Sequence, residues 1–257
     1  MARILRRHYL NWKDYSRFLK AARQRTRSKE NYFHFEYVQG EFLIRYLEAH
    51  GVSINDKMIL DIANGYGGET AAFAHRTDHI MGLDLKPIDK KLPFPQIVGD
   101  ALRTPFAAGT FDLIVCASLI EHIRRPELLL EELARLTDPG SIVYISFPPF
   151  YAITGGHQFS PFHYFGERPA VRLTNFFNRL FNKRVFDEPI DDLQAFDNAF
   201  GHYGLYKFKI SHFRRLLDRS KFELLDQSTK WLPLNFSKLP GLGEFMTWHV
   251  QFILRRR

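Results

Sequence analysis

One cysteine, Cys116, is all that the 257 residues contain. An intrachain disulfide is therefore excluded, and a reducing, cytoplasmic compartment is expected. Cys116 lies in the apolar run 111–117 and reads as a small buried hydrophobe. No run approaches 18 apolar residues, so no membrane-crossing helix is expected. The basic start lacks the apolar stretch of a secretory signal. No Gly-Lys-Ser/Thr follows a glycine turn, which excludes a phosphate-binding loop. Internal repeats and low-complexity linkers are also missing.

What is present is unevenly placed. The net charge is +8, yet residues 1–29 hold ten Lys/Arg and a single acid, Asp14. That segment alone carries +9, so the rest is near neutral at −1. Apolar residues recur in it at helical spacing: Ile4, Leu5, Tyr9, Trp12, Tyr15, Phe18 and Leu19. Such a basic amphipathic arm can lie on an anionic membrane at the inner face of the cell or grip nucleic acid. It can equally pack on the body and leave a solvated basic face. Residues 30–50 read as a second helix, stopped by Gly51.

The stretch 58–74 organises the chain. An apolar run at 58–62 reads as a buried parallel strand, a small-residue turn covers 63–68, and helix formers follow at 69–74. Strand, glycine turn and helix make the first crossover of a doubly wound α/β sheet, which binds ligands at the carboxyl ends of its strands. Further strands are expected at 79–85, 96–99, 111–117, 141–147, 222–232 and 247–255, with helices at 126–138 and 209–220. Asp84 ends the second strand, 23 residues after Asp61. That spacing suits a carboxylate that accepts hydrogen bonds from a ribose hydroxyl pair.

The turn Asp61-Ile62-Ala63-Asn64-Gly65-Tyr66-Gly67 resembles motif I of the class I S-adenosylmethionine-dependent methyltransferases, D-x-G-x-G-x-G, with Ala63 at the first glycine. The run F-D-L-I-V-x-A-S-x-x-E-H-I from Phe111, then a helix, then D-P-G-S-I-V-Y-I-S resembles the small-molecule, type 11-like branch over about residues 57–147. The resemblance implies a seven-stranded, mostly parallel, Rossmann-like sheet with helices on both faces. It implies strand 7 antiparallel between strands 5 and 6, and S-adenosylmethionine as cofactor. It further implies that Asp61 and the backbone of Ala63, Asn64, Gly65 and Gly67 hold the cofactor's amino-acid end, and that Asp84 holds the ribose. Leu85 then packs beside the adenine, Asp100 and Ala101 contact it, and Ala117 and Ser118 face the methionine part.

Residues 148–204 are rich in Pro, Phe, Tyr, His and Gly and too long for a plain connection. They read as an insertion after strand 5 that caps the acceptor site of a domain spanning 30–257. The candidate bases are His122, just after strand 4, and His157 and His163 in the cap, since imidazole titrates near neutrality. Each can equally be structural. No compact ligand spacing predicts a metal. Members of the resembling family that methylate nucleobase amines carry N/D-P-P-Y/F after strand 4, where this chain reads Ala117-Ser118-Leu119-Ile120. The expectation is an enzyme that methylates a small molecule, sugar or glycolipid, most readily at a hydroxyl oxygen. The alternatives are an RNA methyltransferase that uses the basic arm, and a cofactor-binding partner protein without turnover.

Overall fold

The structure, a computed structural model, describes residues 9–181 and 205–257. Seven strands form one sheet: β1 (Ile59–Ile62), β2 (Ile80–Asp84), β3 (Gln96–Val98), β4 (Phe111–Ala117), β5 (Thr137–Phe147), β6 (Phe222–Thr229) and β7 (Val250–Arg256). Their order is β3-β2-β1-β4-β5-β7-β6. β1 pairs in parallel with β2 and β4, whereas β7 runs antiparallel to both β5 and β6. This is the doubly wound arrangement expected, with the strand order reversing beside β1. The carboxyl ends of β1, β2 and β4 therefore share one crevice.

Alternation along the strands sends side chains to two cores. Leu60, Ile62, Ile114 and Cys116 face the helices α4 (Pro126–Leu136) and α6 (Ile210–Asp218), where they meet Leu129, Leu133, Phe213 and Leu217. Ile59, Leu113, Val115 and Tyr144 face α2 (Lys29–Ala49) and α3 (Gly68–Ala74), against Leu43, Leu47 and Phe73. Burying one such side chain is worth about 1.5–3 kcal/mol. Cys116 is fully buried in the first core, as its apolar surroundings predict.

Helix ends follow local chemistry. Ser28 caps α2 by accepting from the Asn31 N–H at 3.2 Å, and Gly51 follows its end at φ +76°. The helix expected to reach residue 138 stops at Leu136, and β5 begins at once at Thr137. Pro139 explains this, because it lacks an N–H and pushes the residue before it out of the helical region. Pairing of β4 with β5 shifts register there, between Phe111 and Leu113.

The described part of the basic arm is packed on the body. Helix α1 (Trp12–Gln24) starts at a capping box, in which Asn11 Oδ1 accepts from the Lys13 and Asp14 N–H groups and Asp14 accepts from the Asn11 N–H. Ala21 and Phe18 meet Phe35, Val38 and Phe42 of α2. Arg45 of α2 grips Asp14 through two hydrogen bonds of 2.9 and 3.0 Å. Residues 1–8 of the arm and 182–204 of the expected cap lie outside the described residues. The described cap contains helix α5 (Glu167–Leu180), and a short helix α7 (Gly243–Met246) lies before β7. Phe159, Ala170, Val171 and Leu205 give the cap a small core of its own.

Candidate active site

The site begins at the end of β1. Asp61 is buried, and its Oδ2 accepts from the Thr70 hydroxyl of α3 at 2.5 Å. The chain then turns sharply. Ala63 has φ +62°, Gly65 φ +55° and Gly67 φ +83°. Only glycine adopts this region freely, so Ala63 occupies a position that the turn would fill more easily with glycine. Two carboxylates clamp the turn. Asp84 Oδ2, from the end of β2, accepts from the Gly65 N–H at 3.0 Å. Glu36, from α2, accepts from the Gly68 N–H at 3.0 Å and the Tyr66 N–H at 3.4 Å. Gly68 must be glycine for a different reason: an added Cβ would lie 2.1 Å from the Phe33 carbonyl oxygen.

The other expected cofactor residues fall around the same crevice. Asp84 is half-buried and keeps lone pairs beyond those that hold Gly65 and the Lys86 N–H. Leu85 follows it with 70% of its surface exposed. Asp100 ends the segment after β3 and accepts from the Leu102 N–H at 2.9 Å, with Ala101 buried beside it. Ala117 closes β4, and Ser118 turns away at φ +54° while its N–H donates to the Ser146 carbonyl. The Asn64 side chain points elsewhere: it lies over Gly82 of β2, where an added Cβ would meet it at 2.7 Å. Its Oδ1 accepts from Gln96 at 3.3 Å. Asn64 therefore supports the turn with its side chain and offers the crevice only backbone.

The crevice is rich in buried negative charge. Asp61, Glu69 and Glu121 are buried, and Lys230, after β6, is the buried Lys or Arg among the described residues. Its Nζ lies 3.4 Å from Glu69. Burial and the neighbouring Glu69 push the Asp61 carboxyl well above its ordinary range. Burial likewise raises Glu36 to about 8 and Glu121 to about 8. Carboxyls so crowded suit a ligand that brings positive charge, and the amino and sulfonium groups of S-adenosylmethionine supply it. The residues present thus fit that cofactor.

A second cluster, around the candidate bases, is assembled from chain segments far apart in sequence. After β4 a short turn carries Glu121 and His122. The cap returns His157 beside them, with the two imidazole rings 5.0 Å apart. His157 Nε2 lies 3.7 Å from Glu121 Oε1, and His122 Nε2 lies 4.0 Å from it. One ligand atom from each of the three falls within 4.8 Å of the others, a grouping that linear spacing did not show. The desolvated position of His157, beside His122, lowers its pKa to about 3. Backbone bonds root the cap here: the Tyr206 N–H donates to the Glu121 carbonyl, and the Phe150 N–H to the Phe208 carbonyl. His163 is not part of this group of three. It is buried in the cap, its Nε2 3.0 Å from the Phe150 carbonyl, under Gly156, where an added Cβ would meet its ring at 2.3 Å. Its observed place is that of a residue that braces the cap.

Four residues escaped the sequence reading of the site. Glu36 and Glu69 sit on helices whose pattern signals only amphipathicity, and Lys230 follows a strand with no motif around it. Glu121 stands in the Glu-His pair, but nothing linear reveals that it is buried.

Sheet order, with β7 antiparallel between β5 and β6, and the glycine turn after β1 together define the class I methyltransferase fold. Comparison with known proteins agrees. Residues 60–145 match the family described as "Methyltransferase domain". An uncharacterized methyltransferase of Mycolicibacterium gilvum is 27% identical over 218 residues, which cover 80% of this chain and 78% of that one. Another, from a Mycobacterium species (strain JLS), is 32% identical over 125 residues, 46% of this chain and 50% of that one. The chain spans about half the length of most of the curated relatives it matches. An S-adenosylmethionine-dependent methyltransferase structure from Clostridium acetobutylicum shares the fold at TM-score 0.54 and 13% identity, over 84% of this chain and 90% of that one. Residues 60–145 thus match a methyltransferase domain, and the sheet built around them has the class I methyltransferase fold.

Proposed function

We propose that the protein transfers a methyl group to a hydroxyl oxygen of a small-molecule, sugar or glycolipid acceptor. The carrying observation is the meeting of His157 from the cap with Glu121 and His122 beyond β4. It puts proton-accepting groups beside the strand end that Ala117 and Ser118 close. The cofactor supplies an activated methyl group. The chain's own task is then to align the acceptor oxygen, exclude water and take a proton from that oxygen. The cap provides cover, and the imidazoles of His122 and His157 provide proton acceptors. Burial keeps His157 neutral but weakly basic, so of the two imidazoles His122 is the one to take the proton and His157 the one to orient the acceptor.

The Ala117-Ser118-Leu119-Ile120 sequence supports an oxygen rather than a nucleobase amine. The test is transfer of labelled methyl from S-adenosylmethionine to fractionated acceptors, with Asp84→Ala as the control. Label is expected in glycan, glycolipid or small hydroxylated compounds. The control should bind S-adenosylhomocysteine about five- to 150-fold more weakly, the equivalent of losing a charged hydrogen bond worth roughly 1–3 kcal/mol. Label in RNA or on an amine, or none in any fraction, overturns the reading.

A further inference from the structure

We propose that Glu121, His122 and His157 form a binding site for a divalent first-row transition metal ion, with zinc(II) as its probe. The observation is an unbalanced buried carboxylate. Glu121 is 1% exposed, and neither of its carboxylate oxygens has a hydrogen-bond partner. A buried charge in that state costs several kcal/mol unless something pairs with it. The imidazole nitrogens of His157 and His122 stand 3.7 and 4.0 Å from one of these oxygens, beyond hydrogen-bonding reach, and Lys230 acts on the carboxyl only as a charge at longer range. The Nε2 of His157 is also buried without a hydrogen-bond partner.

The geometry suits an ion placed between them. All three ligand atoms lie within 4.8 Å of one another. A tetrahedral ion with bonds of about 2.0–2.1 Å sets its ligands roughly 3.4 Å apart. The side chains must therefore draw in by up to about 1.4 Å, within the reach of ordinary rotamer adjustment. Two imidazoles and one carboxylate select borderline ions such as zinc(II) or cobalt(II) over magnesium, which prefers an all-oxygen shell. The site also has an open side. The side chain of His122 is 36% exposed and that of His157 28%, while Glu121 closes the inner end. Three protein ligands with room for a fourth is the pattern of a metal that also holds a water or a substrate oxygen. Where the acceptor reading holds, that position would take the acceptor hydroxyl.

The test uses the full chain without an affinity tag, stripped by chelator and titrated with zinc(II) alone by calorimetry. One tight equivalent is expected, with affinity at least tenfold weaker in Glu121→Gln and in His157→Gln. Circular dichroism and thermal unfolding establish that the variants are folded. Cobalt(II) provides a second readout that needs no variant: visible d–d bands should appear at one equivalent and vanish when zinc(II) is added. No stoichiometric binding by the wild type, or equal binding by folded Glu121→Gln, overturns the proposal. Since the metal is tested alone, its failure would leave methyl transfer to be judged on the labelled-acceptor assay, and the reverse holds as well.

Discussion

Glu36 gives the most discriminating perturbation, because its two readings predict opposite behaviour in one variant. Its carboxyl comes from α2 and accepts from the Gly68 and Tyr66 N–H groups. It thereby fixes the glycine turn between β1 and α3, the place proposed for the cofactor's amino-acid end. Glu36→Ala removes the acceptor from both. At roughly 1–1.5 kcal/mol each, the loss should be about 2–3 kcal/mol, or roughly 5–10 °C in Tm for a domain of this size. Affinity for S-adenosylhomocysteine should fall roughly tenfold, since the loosened turn must be reordered on binding. Glu36→Gln should behave differently.

Burial raises the carboxyl from its ordinary 4.5 to about 8, helped by Glu69 on α3 and Asp61 on β1. Lys90, from the connection between β2 and β3, faces it as the opposing charge. The native group therefore holds a proton between those values while the unfolded group does not. Its contribution to stability is complete below about 4.5 and is lost as pH rises through about 8. At pH 6 Glu36 is a neutral acid, and glutamine replaces it at a cost of less than about 1 kcal/mol. Urea unfolding of the three proteins at pH 6 and pH 9 decides the matter. The stability of Glu36→Gln relative to wild type should rise between those values. Damage at pH 6 equal to that of Glu36→Ala would mean that the carboxylate is ionised there, and would refute the reasoning.

Two further outcomes follow from the same turn. Ala63→Gly should raise stability by about 0.5–1 kcal/mol, measured by urea unfolding, because φ +62° is costly for alanine and free for glycine; a loss of stability would show that the methyl group packs favourably enough to outweigh its backbone. S-adenosylhomocysteine binding should release protons near pH 7 and strengthen as pH rises. Asp61 is protonated there because of burial, Glu69 and Asp84, against the opposing charge of Lys230, and it must ionise to meet an ammonium group. Calorimetry in two buffers of different ionisation enthalpy reads this directly, and identical heats in both would exclude it.

The sequence made the glycine turn after β1 readable because the turn is local. Asp61, Ala63, Gly65 and Gly67 lie within seven residues, and their spacing encodes a strand end, a turn and a helix start. Asp84 was readable because a parallel neighbour of β1 must end level with it, and Asp61 indeed pairs with Gly82. Glu36 was not, since its partner atoms are backbone N–H groups 30 and 32 residues away and leave no trace in composition. Asn64 was expected to offer its backbone, and its side chain fills the space left by Gly82. On the acceptor side, His122 and His157 could be named one by one. Their meeting depends on a cap that folds back over 35 residues, and periodicity carries no information about such a return. His163, six residues further, sits in the same aromatic stretch and differs only in facing the cap's interior.

The distribution of buried charge links these two regions. Asp61 and Glu69 crowd the end of β1, Glu121 lies beyond β4, and Lys230 is the buried lysine among the described residues, 3.4 Å from Glu69. A fold does not retain that imbalance for stability, since each desolvated carboxylate without a full partner opposes folding. Protonation relieves it in the free protein, which is why the carboxyls titrate so high. The same relief can come from a cation, and the two locations call for different ones. At β1 the carboxyls stand beside backbone N–H groups and a glycine turn, which accommodate a zwitterionic amino-acid group. At Glu121 the neighbours are imidazole nitrogens at 3.7 and 4.0 Å, too far to donate a hydrogen bond to the carboxylate, and a proton or a metal ion between them would satisfy it. Stabilisation by S-adenosylhomocysteine and by a divalent ion should therefore be separable, each offsetting the charge at its own strand end.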